Sequence, residues 1–143
     1  MEMVRLIYAS RATEVFKPAE IKSILTAARK NNGQSDITGL LCFTSRCFLQ
    51  CLEGGRDKVN HTYLRIAQDK RHEDIQIISF EYISEREFFG WNMGYLQDGP
   101  GMRELLKTHG GSETFNPYDL TPVAALNLMC DIRDDIRAAA AEE

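Results

Sequence analysis

Gln50 contrasts with its neighbours. It sits between Phe48 and Leu52 in the run Cys47-Phe-Leu-Gln-Cys-Leu-Glu-Gly-Gly55. Strand alternation puts Phe48, Gln50 and Leu52 on one face and Cys47, Leu49, Cys51 and Glu53 on the other. A carboxamide between two large apolar side chains is half exposed or buried, and an unpartnered buried amide costs on the order of 1–3 kcal/mol. Tyr8 is a second polar tip, in the apolar strand Val4 to Ser10, on the face of Leu6 and Ser10. It reads as a core tyrosine whose hydroxyl finds a neighbour, or as a redox or hydrogen-bonding tyrosine. Asn31-Asn32 reads as ordinary helix-end asparagines, or as paired amides that recognise an imide or carbonyl edge. Arg65 and Asp69, four apart beside Ile66, read as a surface ion pair worth at most about 1 kcal/mol. Arg71 and His72 belong to the charged turn Asp69 to Asp74, a solvated loop or a cationic rim. Trp91 and Met93 are expected to share a face of a short last strand, as a hydrophobic plug under the sheet.

The elements that must position these residues follow from periodicity. Pro18 suits the first turn of a helix whose apolar face is Ile21, Ile24, Leu25 and Ala28, with Gly33 as its expected stop. Two apolar strands joined by a short Thr-Ser-Arg turn span 37–55. Arg56 to Asp69 predicts a second helix with Val59, Tyr63 and Ile66 on one stripe. Ile75 to Ile83 is a β-branched strand, and Trp91 to Leu96 a short one. The order β-α-β-β-α-β-β predicts an α+β, ferredoxin-like mixed sheet with both helices on one face and a slot between them for a flat ligand. The remaining residues, 98–143, supply helical cover for the bare sheet face or a partner surface. Met102, Leu105 and Leu106 mark one helix, stopped at Gly110-Gly111. Thr121-Pro122 caps another, with Leu128, Ile132 and Ile136 on one face and fraying expected from Ala138 to Glu143. Residues 1–97 are thus expected to form the ligand-binding domain and 98–143 an extension.

Composition narrows the function classes. The 143 residues include 43% hydrophobic and 27% charged, with a formal net charge of −4. That is an ordinary globular balance without the basic character of nucleic-acid binding. No apolar run is long enough to span a membrane, and Met1-Glu-Met-Val-Arg-Leu-Ile-Tyr8 lacks a signal-peptide layout. A cytoplasmic protein is expected. Cys42, Cys47, Cys51 and Cys130 form no metal-ligand pattern with His61, His72 or His109, so free thiols and no metal site are expected. No phosphate-binding glycine loop, nucleophile elbow or nucleophile–base pair is present.

Taken together, Arg5-Leu-Ile-Tyr8-Ala-Ser10, Asn31-Asn32, Ile37-Thr-Gly-Leu-Leu, Phe48-Leu-Gln50-x-Leu-Glu-Gly54, Asp69-x-Arg71-His72 and Trp91-x-Met93 resemble the BLUF domain, a blue-light sensor using flavin. The resemblance spans roughly Met3 to Gln97. The tail, with Phe115-x-Pro117 and the Thr121-Pro helix, is similar to the short single-domain PixD-like branch. The resemblance implies an FAD cofactor, with FMN or riboflavin as other occupants of the slot. It places the flavin ring between the Ile24–Ala28 face and Ile66. It implies that Asn32 bonds the C4 carbonyl and N3, that Asn31 and Arg65 serve the C2 side with Asp69 nearby, and that Arg71 and His72 reach toward the ribityl or phosphate end. Phe48 lines the same face. Gln50 then bridges Tyr8 and the flavin: under blue light Tyr8 gives up an electron and a proton by way of Gln50, and their return leaves Gln50 reoriented or tautomerised. The resemblance leaves the Trp91–Met93 strand and the tail helices as the candidates that carry the change outward. Ala28 stands where some relatives carry a hydroxyl, which tunes colour or recovery.

A sensor of this kind is not an enzyme; it acts on a separate signalling protein and is expected to form a dimer or larger ring. Two other readings fit the same fold class. One is an acylphosphatase-like hydrolase, for which only Arg11 and Asn31 are available as anion cradle and water-positioning amide. The other is a flavin-independent adaptor or dimerisation module.

Overall fold

A computed structural model describes residues 2–96, 99–110 and 115–142. Strand β1 (Met3–Ala12) is an interior strand, antiparallel to β3 (Cys47–Gly55) on one side and to β4 (His72–Ile83) on the other. β2 (Thr38–Thr44) pairs antiparallel with β3 and parallel with the short β5 (Gly94–Leu96). The order is β4-β1-β3-β2-β5. β2 and β3 meet in a tight hairpin in which Ser45 (φ 54°) and Arg46 (φ 63°) are both left-handed. That backbone matches the twist of the flanking strands, and here it is met without glycine.

Helix α1 (Ile21–Gln34) and helix α2 (Arg56–Ala67) lie on one face, over a core that includes Leu6, Tyr8, Phe16, Leu25, Leu52 and Val59. The other face is covered by helix α3 (Pro100–Gly110) and helix α4 (Pro122–Ala141), over Ile7, Leu40, Leu49 and Cys51. The alternation expected along β1 and β3 is therefore observed: odd and even positions feed two different cores. α4 starts as expected, with the Thr121 hydroxyl accepting from the Ala124 N–H at 3.1 Å and proline in the first turn. Among the described residues no helix is long and apolar enough to cross a membrane.

Several local expectations are corrected. α1 runs past Gly33 to Gln34, and the left-handed residue that ends it is Asp36 (φ 54°). Gly33 sits inside the helix with the Asn92 side chain against it. α2 ends at Ala67, so Asp69 lies beyond it and loses the helical spacing to Arg65. β4 begins at His72, which takes the second half of the charged turn into the sheet. α4 is still helical from Ala138 through Ala141. Gly111, Glu143 and the boundary at 97/98 lie outside the described residues.

Candidate functional site: a cleft between two helices above Tyr8 and Gln50

The pairing of β1 with β3 sets Tyr8 directly opposite Gln50. Both face the α1–α2 side, and both are almost fully buried, at 2% and 5% exposed. The Tyr8 hydroxyl donates to Gln50 Oε1. Gln50 Nε2 donates in turn to the Met93 sulfur at 3.5 Å, with Met93 itself 2% exposed. The amide is thus spanned between a phenol on one side and a soft, weak acceptor on the other. Burial first, then Tyr63 and Asp69, push the Tyr8 hydroxyl far above the ordinary phenol range, so it holds its proton in the resting fold.

Above this chain is a cleft of about 360 Å3 between the helices, lined by Ile24, Ala28, Asn31 and Asn32 from α1 and Arg65 and Ile66 from α2, with Gln50 at its base. A recess of about 100 Å3 joins it and adds Tyr8, Leu41, Phe48 and His72. A volume of this order is that of a small-molecule site. Its walls are aliphatic and come from opposing helices, which suits a flat ring between them. Its polar groups are amides at one end, which suits a carbonyl and imide edge. The donor set fits a flavin: Asn32 is 2% exposed and gives one amide N–H to the Asn92 carbonyl at 2.7 Å. The other N–H and the Oδ1 of that amide are the pair an imide edge requires.

The residues at the other end are tied down differently from expectation. Asp69 pairs with Arg71, at 2.5 Å to Nη2, and not with Arg65. The Arg71 hydrogen bonds hold the Asp69 carboxyl below its usual range, against the opposing effect of burial. Arg71 also reaches Glu20 at 3.4 Å. Two carboxylates thus offset its charge, and it is no free cation at a rim. His72 engages both ring nitrogens, Nδ1 with Ser10 Oγ at 2.8 Å and Nε2 with the Ile66 carbonyl at 2.6 Å. It is a wall that clips α2 to β1. Arg11 pairs with Asp74 and lies over the Tyr118 ring, so it does not join Asn31 in the cleft.

Trp91 and Met93 do not share a face. Met93 enters the core under the two helices, whereas Trp91 packs with Phe88 on the α3–α4 side, ring centroids 6.4 Å apart. Alternation needs extended backbone, and the strand begins only at Gly94, after a bend. Gly94 lets the indole lie on the chain: a Cβ there would stand 2.4 Å from Trp91 Cε3.

Sequence reasoning missed what holds the 86–93 segment. Glu53, fully buried on the far face of β3, accepts from Arg5 Nε (3.0 Å), Thr38 Oγ1 (3.2 Å), Glu87 N (2.9 Å) and Phe88 N (3.0 Å). Further on, the carbonyls of Trp91, Asn92 and Met93 are each taken by a different donor: Gly39 N at 3.0 Å, Asn32 Nδ2 at 2.7 Å and Arg29 Nε at 2.9 Å. The available signal was a glutamate among apolar residues opposite Arg5, both on the face away from Gln50.

Comparison with known proteins bears on this geometry. The family model described as BLUF, sensors of blue-light using FAD, matches residues 3–94. The photoactivated adenylate cyclase subunit beta of Euglena gracilis is 36% identical over 86 residues, 60% of this chain. The blue light- and temperature-regulated antirepressor BluF of Escherichia coli is 35% identical over 86 residues. The chain spans only 10% of the length of the Euglena protein and 21% of the Escherichia coli one. Among solved structures, the photo-activated state of BlsA superposes with a TM-score of 0.82 at 31% identity, covering 90% of this chain and 93% of that one. The dark state of BlrB, a BLUF protein, gives 0.73 at 28% identity, covering 99% and 98%. The matched residues include the strands, both helices and the segment that build the cleft, and by them this chain belongs to the BLUF family of flavin-based blue-light sensors.

Proposed function

We propose that this chain senses blue light through a flavin, most fittingly FAD, held between α1 and α2, and signals by switching the partners of the Gln50 amide. The observation that carries the reading is the buried line Tyr8 Oη–Gln50–Met93 Sδ at the base of the cleft. In this reading residues 1–97 hold the cofactor and 98–143 form the extension that meets other proteins, in a homo-oligomer and with a separate signalling partner. The family description names FAD, and a similar solved protein, BlrP1 of Klebsiella pneumoniae, was solved with FMN. Contacts to the ring alone accommodate either.

Bound flavin supplies the absorption of blue light and the capacity to take up an electron and a proton. The protein's part is to hold one proton at one exit. Tyr8 Oη has Gln50 Oε1 as its acceptor, and both side chains are almost fully buried. A Gln50 turned end for end presents Nε2 to Tyr8 and Oε1 to Met93. Both Oε1 and a thioether sulfur are acceptors, so the contact with Met93 is then lost. In a low-dielectric site the network has few arrangements, and the exchange acts as a two-state element. Met93 lies in the segment laced to Gly39, Asn32 and Arg29, which carries the change to the surface.

The test is an absorption spectrum of the purified chain before and after blue light. A yellow protein with a reversible red shift is expected, with Tyr8→Phe and Gln50→Leu proteins retaining flavin but losing the shift. A normal shift in either variant refutes the assignment.

A further inference from the structure

Segment Trp91–Met93 has an inner and an outer side. The inner side presents Met93 Sδ to Gln50. The outer side is the floor of a second cavity, of about 480 Å3, between α1, β5 and the last turns of α4. Two arginines border it. Arg29 donates from Nε to the Met93 carbonyl, and Arg137 lies 5.2 Å from the centre of the Trp91 ring while Nη2 reaches the Phe89 carbonyl at 3.3 Å. Both side chains are exposed. Among the described residues no acidic side chain lines the cavity, and neither guanidinium forms an ion pair. The remaining wall comes from Ile136 and Ala140, with Tyr95 beside them. A chain of formal net charge −4 therefore carries here a recess with two positive charges that no acidic side chain among the described residues offsets.

We propose that this recess docks an acidic segment of a partner protein, carboxylates meeting Arg29 and Arg137 and an apolar side chain meeting Trp91 and Ile136, and that light governs the docking. Guanidinium groups offer paired donors that match a carboxylate, and the aromatic floor suits an apolar neighbour. A nucleic acid is disfavoured, because two cations on an acidic chain do not make a phosphate-backbone footprint. The light dependence rests on the Gln50–Met93 reading above: displacement of Met93 moves the carbonyl that holds Arg29.

The probe is a short fluorescent peptide of alternating glutamate and leucine, with a glutamine-for-glutamate peptide as control. Binding to the flavin-loaded full chain is read by anisotropy in the dark and under blue light, with the absorption shift recorded on the same samples. The glutamate peptide is expected to bind about tenfold tighter than the control, and Arg137→Gln to weaken it roughly fivefold while leaving the absorption shift unchanged. Affinity is expected to differ at least about threefold between dark and light. Equal binding of the two peptides, indifference to Arg137→Gln, or tighter binding of a single-stranded DNA oligonucleotide overturns the docking site. Equal affinity in dark and light with an intact shift overturns its control by light. A missing shift overturns the photochemical reading instead, and the charge-dependent arm still decides the site.

Discussion

Replacing Glu53 with glutamine tests how the sheet holds the segment that delivers Met93. The native carboxylate is fully buried and accepts four hydrogen bonds, two at each oxygen. In Glu53→Gln one oxygen becomes an amide nitrogen facing two donors. The least costly placement puts that nitrogen at Oε1, where the Thr38 hydroxyl can turn to accept but the Phe88 N–H is orphaned. An orphaned buried N–H costs about 1–3 kcal/mol. Arg5, 5% exposed, also loses its buried counter-charge and keeps only Glu81, at 3.3 Å and half exposed. Breaking a buried pair from one side costs about 3–5 kcal/mol, so a loss of about 3–4 kcal/mol is expected, a large part of a typical 5–15 kcal/mol stability. The assay is urea unfolding, in which the midpoint falls by roughly 1–2 M. Amide hydrogens of Glu87 and Phe88 lose protection against exchange. The double variant Arg5→Met with Glu53→Leu is expected to cost less than the sum of its singles, because it strands no charge. A Glu53→Gln loss below about 1 kcal/mol, or additive singles, would refute the assignment of Glu53 as the anchor.

Three further outcomes are expected. Gly39→Ala places a Cβ 2.0 Å from the Cys51 carbonyl, a contact that only separation of β2 from β3 relieves; a loss of at least about 1–3 kcal/mol is expected in the same unfolding assay. Asp69 has its folded carboxyl value lowered by Arg71, so its contribution is present above the unfolded carboxylate value near pH 4 and is lost as pH falls through the lower folded value. The stability gap between native protein and Asp69→Asn should therefore be open at about pH 6 and close toward about pH 2. Burial pushes the Cys42 thiol up to about 12 and Cys51 well above its ordinary value. Both should resist alkylation in the native protein at about pH 8 and react on unfolding, as read by mass spectrometry.

What the amino-acid order determined by itself was whatever depends on local period. Alternation alone separates Tyr8 and Gln50 from Ile7, Leu49 and Cys51, and the two sets do feed different cores. The Thr121-Pro122 start of α4 follows from capping chemistry that acts over three residues. The tertiary structure decided what joins distant residues or leaves regular backbone. Trp91 turns away from Met93 because period two holds only in extended chain, and the chain bends there. Asp69 exchanges Arg65 for Arg71 because α2 stops at Ala67, and no short-range signal marks that stop. Glu53 meets Glu87 and Phe88 from 34 and 35 residues away. Local propensity sees a few neighbours, whereas a buried charge is satisfied by donors that only the folded sheet and its covering helices bring within reach.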